Sequence, residues 1–195
     1  METKIDKPKM DLHPIIRDRF SSRLMDPDRP VPAEVLDLLL EAARWAPSSG
    51  NGQPWRYLIF DSRHPRALQK ARQLLNDDNR VWAGKASVLI LAVAKEVRTG
   101  GKINRYAQHD LGLANQNLLL QAAWMGLHAR PMAGFDRAGA EKAFHIPEGY
   151  RAMVMIAIGY PGRLEEVHPE VQAKEKLPRR RKPQEQFVFL GDWSD

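Results

Sequence analysis

Residues 87–94, SVLILAVA, constrain the fold of this chain more than any other stretch. An unbroken apolar run of strand length is the pattern of a β-strand covered on both faces. It belongs at the centre of a sheet that other elements sandwich. Residues 152–159, AMVMIAIG, repeat the pattern and read as a second buried strand. Residues 56–60 and 128–133 read as two shorter ones.

The helices follow from periodicity and caps. Residues 11–20 read as a first helix, with Asp11 able to cap it and Pro14 tolerated in its first turn. A loop, DPDRPVP at 26–32, leads to Pro32 at a first helical position. Over 33–45 the polar residues Glu34, Asp37, Glu41 and Arg44 recur at helical spacing and leave Val35, Leu36, Leu39, Ala42 and Ala43 for the core. Residues 64–76 read as a helix, and Asp136 caps another that runs to Phe144. The segment 106–127 predicts a helix about 30 Å long. Its Leu111, Ala114, Leu118, Leu119, Ala122 and Met125 spread around much of the circumference, so it belongs in a core or a dimer interface. After Pro161 the chain is rich in proline and charge until residues 187–190, FVFL, a lone strand of the kind that pairs with a partner's sheet. The pattern is α+β: four strands and a fifth open to exchange, flanked by helices. It reads as one domain over 1–195, with a loose arm at 1–10 and an extended arm at 162–195.

Between the 33–45 helix and the 56–60 strand lies APSSGNGQPW, with two Pro, two Gly, two Ser and two carboxamides in ten residues. Ordinary connections are shorter, about two to six residues. Composition alone leaves two readings: a capped helix end with a turn, or backbone placed against a ligand.

Net charge +6 and a pI near 9.7 fit an anionic partner, whether nucleic acid, a membrane surface or a phosphorylated small molecule. Much of the excess sits at Arg179, Arg180, Arg181 and Lys182, a run too short and too poor in aromatics to track a nucleic-acid strand. With no cysteine, disulfides, thiolate metal sites and cysteine nucleophiles are excluded. No apolar run approaches the about 20 residues of a membrane span, and residues 1–10 hold no signal-peptide core, so the expected location is cytoplasmic. His109, His128 and His145 have no metal-like spacing and read as structural or surface residues.

The stretch RWAPSSGNGQPWRYLIF resembles the signature of the FMN-dependent nitroreductase family, and the likeness extends from about residue 12 to the C-terminus. The resemblance implies a mixed central sheet and a homodimer with shared active sites. It carries Arg19 and Ser21 to the phosphate and ribityl oxygens of FMN, and Arg23 to the pyrimidine edge of the ring, where a cation stabilises the charge that reduction brings. Arg179 and Arg181, followed by Lys182 and Pro183, match a basic pair on the phosphate; read without the family they are a solvated charge run. Pro47, Ser48, Ser49 and Asn51 match a segment that packs on the neighbouring subunit's flavin, while Gln53 and Trp55 mainly fix the loop. Ala133 and Gly134 match a turn whose amides approach flavin N5, and Asn79 matches an asparagine on the ring edge.

Two departures bear on substrate. Phe20 stands where many members have a second basic residue, and the 95–105 connection is short where larger relatives insert helices over the pocket. Trp82 and Tyr106 are the candidates to border the pocket instead. The implied activity is ping-pong transfer from NADPH or NADH through FMN to a nitroaromatic, quinone or activated alkene, with the chemistry carried by the cofactor and no catalytic side chain. The alternatives are a specialised flavin enzyme of the same fold, dehalogenating or flavin-modifying, and a non-catalytic flavin- or nucleic-acid-binding module.

Overall fold

A computed structural model describes residues 12–193. Its sheet has four strands, β1 (Trp55–Phe60), β2 (Val88–Lys95), β3 (His128–Met132) and β4 (Tyr150–Gly159), in the order β1-β2-β4-β3. The two apolar runs are the central pair, in register from Val88 opposite Ile158 to Lys95 opposite Tyr150, with a bulge at Ala92 and Val93. All three pairings are antiparallel, where a mixed sheet was expected. A parallel pairing needs a further strand, and residues 187–190 form none: they follow a 3-10 turn (Gln184–Gln186) and lie unpaired, with Phe187, Val188 and Leu190 exposed. An extended segment becomes a strand only where a ladder offers it partners, and neither edge strand of this chain reaches it.

Alternation along β2 divides the core. Val88, Ile90, Ala92 and Ala94 meet α2 (Ala33–Arg44) and α5 (Ala107–Trp124) on one face. Leu89, Leu91 and Val93 meet α3 (Pro65–Gln73), α4 (Asp77–Ala83) and α6 (Arg137–Ala143) on the other. The 18 residues of α5 span about 27 Å. It buries Leu111, Ala114, Leu118, Leu119 and Ala122 and packs along α2.

The first helix, α1 (Pro14–Asp18), is shorter than expected and is capped by His13; Asp11 lies outside the described residues, as do residues 1–10. Asp136 caps α6 as expected, accepting from the Gly139 N–H. Two helices were not anticipated. The Asn76 side chain accepts from the Asn79 N–H and starts α4, with Asp77 and Asp78 favourably placed in its first turn. Pro169 occupies the first turn of α7 (Pro169–Glu175), within the arm.

Candidate active site

The segment after α1 runs beside the ends of β3 and β4. Met25 bridges to Pro161, and the Asp26 N–H donates to the Tyr160 carbonyl at 2.9 Å. From β3, Arg130 Nη1 donates to the Ser21 carbonyl, and His128 Nδ1 lies 2.6 Å from the Leu24 carbonyl oxygen. From the arm, α7 places Glu175 under the same segment. Its carboxylate accepts from Ser22 Oγ and the Arg23 N–H, each at 2.9 Å. A short backbone stretch is thus held from both sides by side chains more than 100 residues away in sequence.

What it presents is positive. Arg19 Nη1 donates to Ser21 Oγ at 3.0 Å, which fixes the guanidinium. Beyond α7 the arm returns Arg179 to this place, where its Nη1 donates to the Arg17 carbonyl. Burial, and then the charges of Arg179 and Arg181, hold Arg19 below the usual arginine range. Burial and the charge of Arg181 do the same to Arg179, with Asp18 opposing. Asp18 is itself paired with Arg17 at 2.7 Å. Arg19 and Arg179 are thus half-buried and repelled by each other and by the exposed Arg181, a costly arrangement that an anion with several acceptor oxygens relieves.

A second group adjoins it. The Arg130 guanidinium lies over the Trp82 ring, 5.4 Å from its centroid. Trp82 Nε1 donates to Asn79 Oδ1 at 3.2 Å, and Asn79 Nδ2 donates to the Gly134 carbonyl at 2.9 Å. Ser21, Arg130, Trp82, Asn79 and Gly134 thus form one connected path. A cleft of about 200 Å³ opens beside it, walled by Arg23, Trp82, Val81, Val171 and Lys174. Residue 134 must be glycine for a reason internal to the chain: a Cβ there stands 2.6 Å from Asn79 Nδ2 and 2.7 Å from Asn76 Nδ2. Ala133 is exposed at the tip of this turn, with the Phe135 N–H donating to its carbonyl at 3.0 Å.

Seven of the twelve residues singled out in the sequence are brought to this region: Arg19, Ser21, Arg23, Asn79, Gly134, Arg179 and Arg181. Ala133 adjoins them in the chain. Pro47, Ser48, Ser49 and Asn51 are not among them. Their loop is anchored on the opposite face of the sheet, where the Ser49 N–H donates to the buried carboxylate of Asp110 on α5 at 3.0 Å. Within it Gly50, Asn51 and Gln53 all take positive φ, at 57°, 53° and 44°. Gln53 holds the fold of the loop, its N–H donating to Ser48 Oγ at 3.0 Å and its amide to Asn51 Oδ1 at 3.2 Å. Left-handed backbone at non-glycine residues is a strain that surfaces at functional loops.

Of the two aromatic candidates, Trp82 is buried at the site, while Tyr106 precedes α5 on the other face and is exposed. The 95–105 connection closes as a small hairpin with Val97 opposite Ile103. Among the described residues no group of His, Cys, Asp and Glu is placed to hold a metal, and His109 lies against Asp110 at 3.1 Å. Two residues of the site, Arg130 and Glu175, were not singled out in the sequence. Arg130 reads there as one charged residue of a short strand, and Glu175 as part of a charged arm.

The family model described as Nitroreductase family matches residues 16–160. The chain belongs to the nitroreductase family. Membership makes it an oxidoreductase. Among its relatives, Protein DrgA of Synechocystis sp. is 34% identical over 180 residues, covering 77% of this chain and 84% of that protein. YdgI of Bacillus subtilis, provisionally named an NAD(P)H nitroreductase, is 26% identical over 185 residues, covering 76% of this chain and 88% of its own. A crystal structure described as an oxidoreductase containing FMN superposes with a TM-score of 0.91 at 28% identity, covering all of this chain and 98% of that one.

Proposed function

We propose that this chain is an FMN-dependent NAD(P)H oxidoreductase working as a homodimer, with the cofactor phosphate held by Arg19, Ser21, Arg179 and Arg181. The observation that carries the reading is the pair of half-buried guanidiniums of Arg19 and Arg179, each fixed by a hydrogen bond, with the exposed Arg181 adding its charge to theirs. The donor set fits the group: a phosphate monoester offers several oxygens and up to two negative charges to planar guanidinium forks. The FMN named for the 28%-identical structure and the NAD(P)H in the name of YdgI agree with it.

FMN held there would supply the redox chemistry between NADPH or NADH and a nitroaromatic, quinone or activated alkene. The chain's residues bind and orient. Arg23 would set a positive charge at the pyrimidine edge, Asn79 would bond the ring edge, and the Ala133–Gly134 turn would offer its amides to N5. Pro47, Ser48, Ser49 and Asn51 come from the partner and shelter the ring. A shared site accounts for a strained loop anchored on α5, on the sheet face away from Trp82.

The test is anaerobic reduction. The protein reconstituted with FMN and given NADPH or NADH loses the visible flavin band, and a quinone or nitroaromatic restores it. If FMN binds and neither nicotinamide bleaches it, the reductase reading falls and a specialised flavin reaction replaces it. If no FMN binds, the cofactor assignment itself falls.

A further inference from the structure

Glu175 holds a buried charge that the binding role above does not require. Its side chain is only 6% exposed. It accepts from Ser22 Oγ at 2.9 Å, from the Arg23 N–H at 2.9 Å and from Arg23 Nη1 at 3.4 Å. The two bonds fall on different oxygens, Ser22 Oγ on Oε2 and the Arg23 N–H on Oε1; a glutamine keeps one of them as an acceptor and can meet the Ser22 hydroxyl oxygen with its amide N–H, so tethering alone does not require a full negative charge. Burying a carboxylate is costly unless cations and hydrogen bonds answer it.

Two cations do. Arg23 touches the carboxylate directly, and Arg130 lies within its field. Burial and the charge of Arg23 pull Arg130 below the usual arginine range, while Glu175 pushes it back. Arg130 is held in place by the Ser21 carbonyl and the Trp82 ring. These three groups sum to two positive charges and one negative; Asp77, Asp78, Glu170 and Lys174, which also line the cleft, are common to every variant compared below.

We propose that Glu175 is a positioning residue that sets the reduction potential of the bound cofactor by offsetting one of the two guanidinium charges, Arg23 and Arg130, beside its pyrimidine edge. The proposal rests on the FMN reading above. Reduction places negative charge on that edge of the ring, so every unit of positive charge added nearby favours the reduced form and raises the potential. Native Glu175 therefore keeps the potential below the value that Arg23 and Arg130 alone impose.

The experiment compares midpoint potentials of full-length FMN-loaded protein: native, Glu175→Gln, Arg130→Gln and the double variant. The local sums are +1, +2, 0 and +1. Glu175→Gln raises the potential and Arg130→Gln lowers it. Each shift corresponds to roughly a tenfold change in preference for the reduced cofactor, about 30 mV for a two-electron couple. The double variant returns close to the native value, and it also relieves the uncompensated cations if Glu175→Gln alone folds poorly. A merely structural role changes affinity for both oxidation states together and leaves the potential where it was. That result overturns the proposal, as does a double variant that fails to return. Native protein that binds no FMN overturns the cofactor reading before any variant is compared, and this proposal with it.

Discussion

Replacing Arg19 by alanine separates binding of the phosphate from binding of the ring. Arg19 offers the proposed phosphate a guanidinium already fixed by Ser21 at 3.0 Å. Losing one charge-assisted hydrogen bond costs about 1.5–3 kcal/mol, or roughly 10- to 150-fold in Kd at about 1.4 kcal/mol per tenfold. The free protein responds the other way. There Arg19 is opposed by burial and by the charges of Arg179 and Arg181, so its removal relieves repulsion. The melting temperature of the free protein should hold or rise while the increase produced by FMN shrinks. Riboflavin, the same ring without phosphate, is the control. Titration by flavin fluorescence should show weaker FMN binding and unchanged riboflavin binding in Arg19→Ala, with a shallower salt dependence for FMN than in the native protein. Unchanged FMN affinity, or an equal loss for riboflavin, refutes the placement of the phosphate.

Gly134→Ala forces a methyl group to within 2.6 Å of Asn79 Nδ2 and 2.7 Å of Asn76 Nδ2, against the cap of α4; it should destabilise the fold by about 1–3 kcal/mol in urea unfolding. Asp61 governs part of the acid limit: burial pushes its carboxyl up, but the side-chain and backbone hydrogen bonds from Arg63 and the charges of Arg63 and His64 outweigh this and hold it below 3.8. A carboxylate depressed in the folded state adds stability above its unfolded value and loses it as pH falls through the folded one, so Asp61→Asn should flatten stability against pH below about 4; an unaltered acid limb refutes the assignment. Deleting residues 184–195 removes Phe187, Val188, Leu190 and Trp193, all exposed in the single chain; sedimentation should show a weakened dimer if the segment pairs with a partner, and a truncated protein equally dimeric and stable removes that idea.

The parts of this structure that could be read from sequence are those whose cause is local. The two apolar runs became β2 and β4 at the sheet centre because a strand covered on both faces has no polar positions to alternate. The cap at Asp136 was read correctly for the same reason, since an N-cap acts within one turn. The start of α4 was equally local, an Asn76 cap followed by two aspartates, but the eye takes NDDN for a polar loop unless the cap is sought. Residues 187–190 show the reverse case within the single chain. Strand propensity was present and a ladder was not. Glu175 and Arg130 escaped for a third reason: their partners at Ser22, Arg23 and Ser21 lie 153, 152 and 109 positions away, and no spacing rule reaches that far.

The same distinction explains why the APSSGNGQPW loop stood out in sequence while its place in the site did not. Its composition reflects a local demand. Gly50 takes a left-handed conformation without penalty and Asn51 tolerates one, whereas Gln53 must be held there by its bonds to Ser48 and Asn51. A buried aspartate, Asp110, fixes the turn from below through the Ser49 N–H. That much structure is more than a helix end needs, and the Trp82 wall of the site in the same chain lies on the other face of the sheet. With Pro47, Asn51 and Gln53 exposed, a loop so firmly shaped suits the shared site of the proposed homodimer. On that reading the Asp110 carboxylate and the Glu175 carboxylate have parallel duties on opposite faces. Each is buried, and each holds a ligand-facing backbone segment by its N–H, one for the site of its own chain and one for the site of its partner.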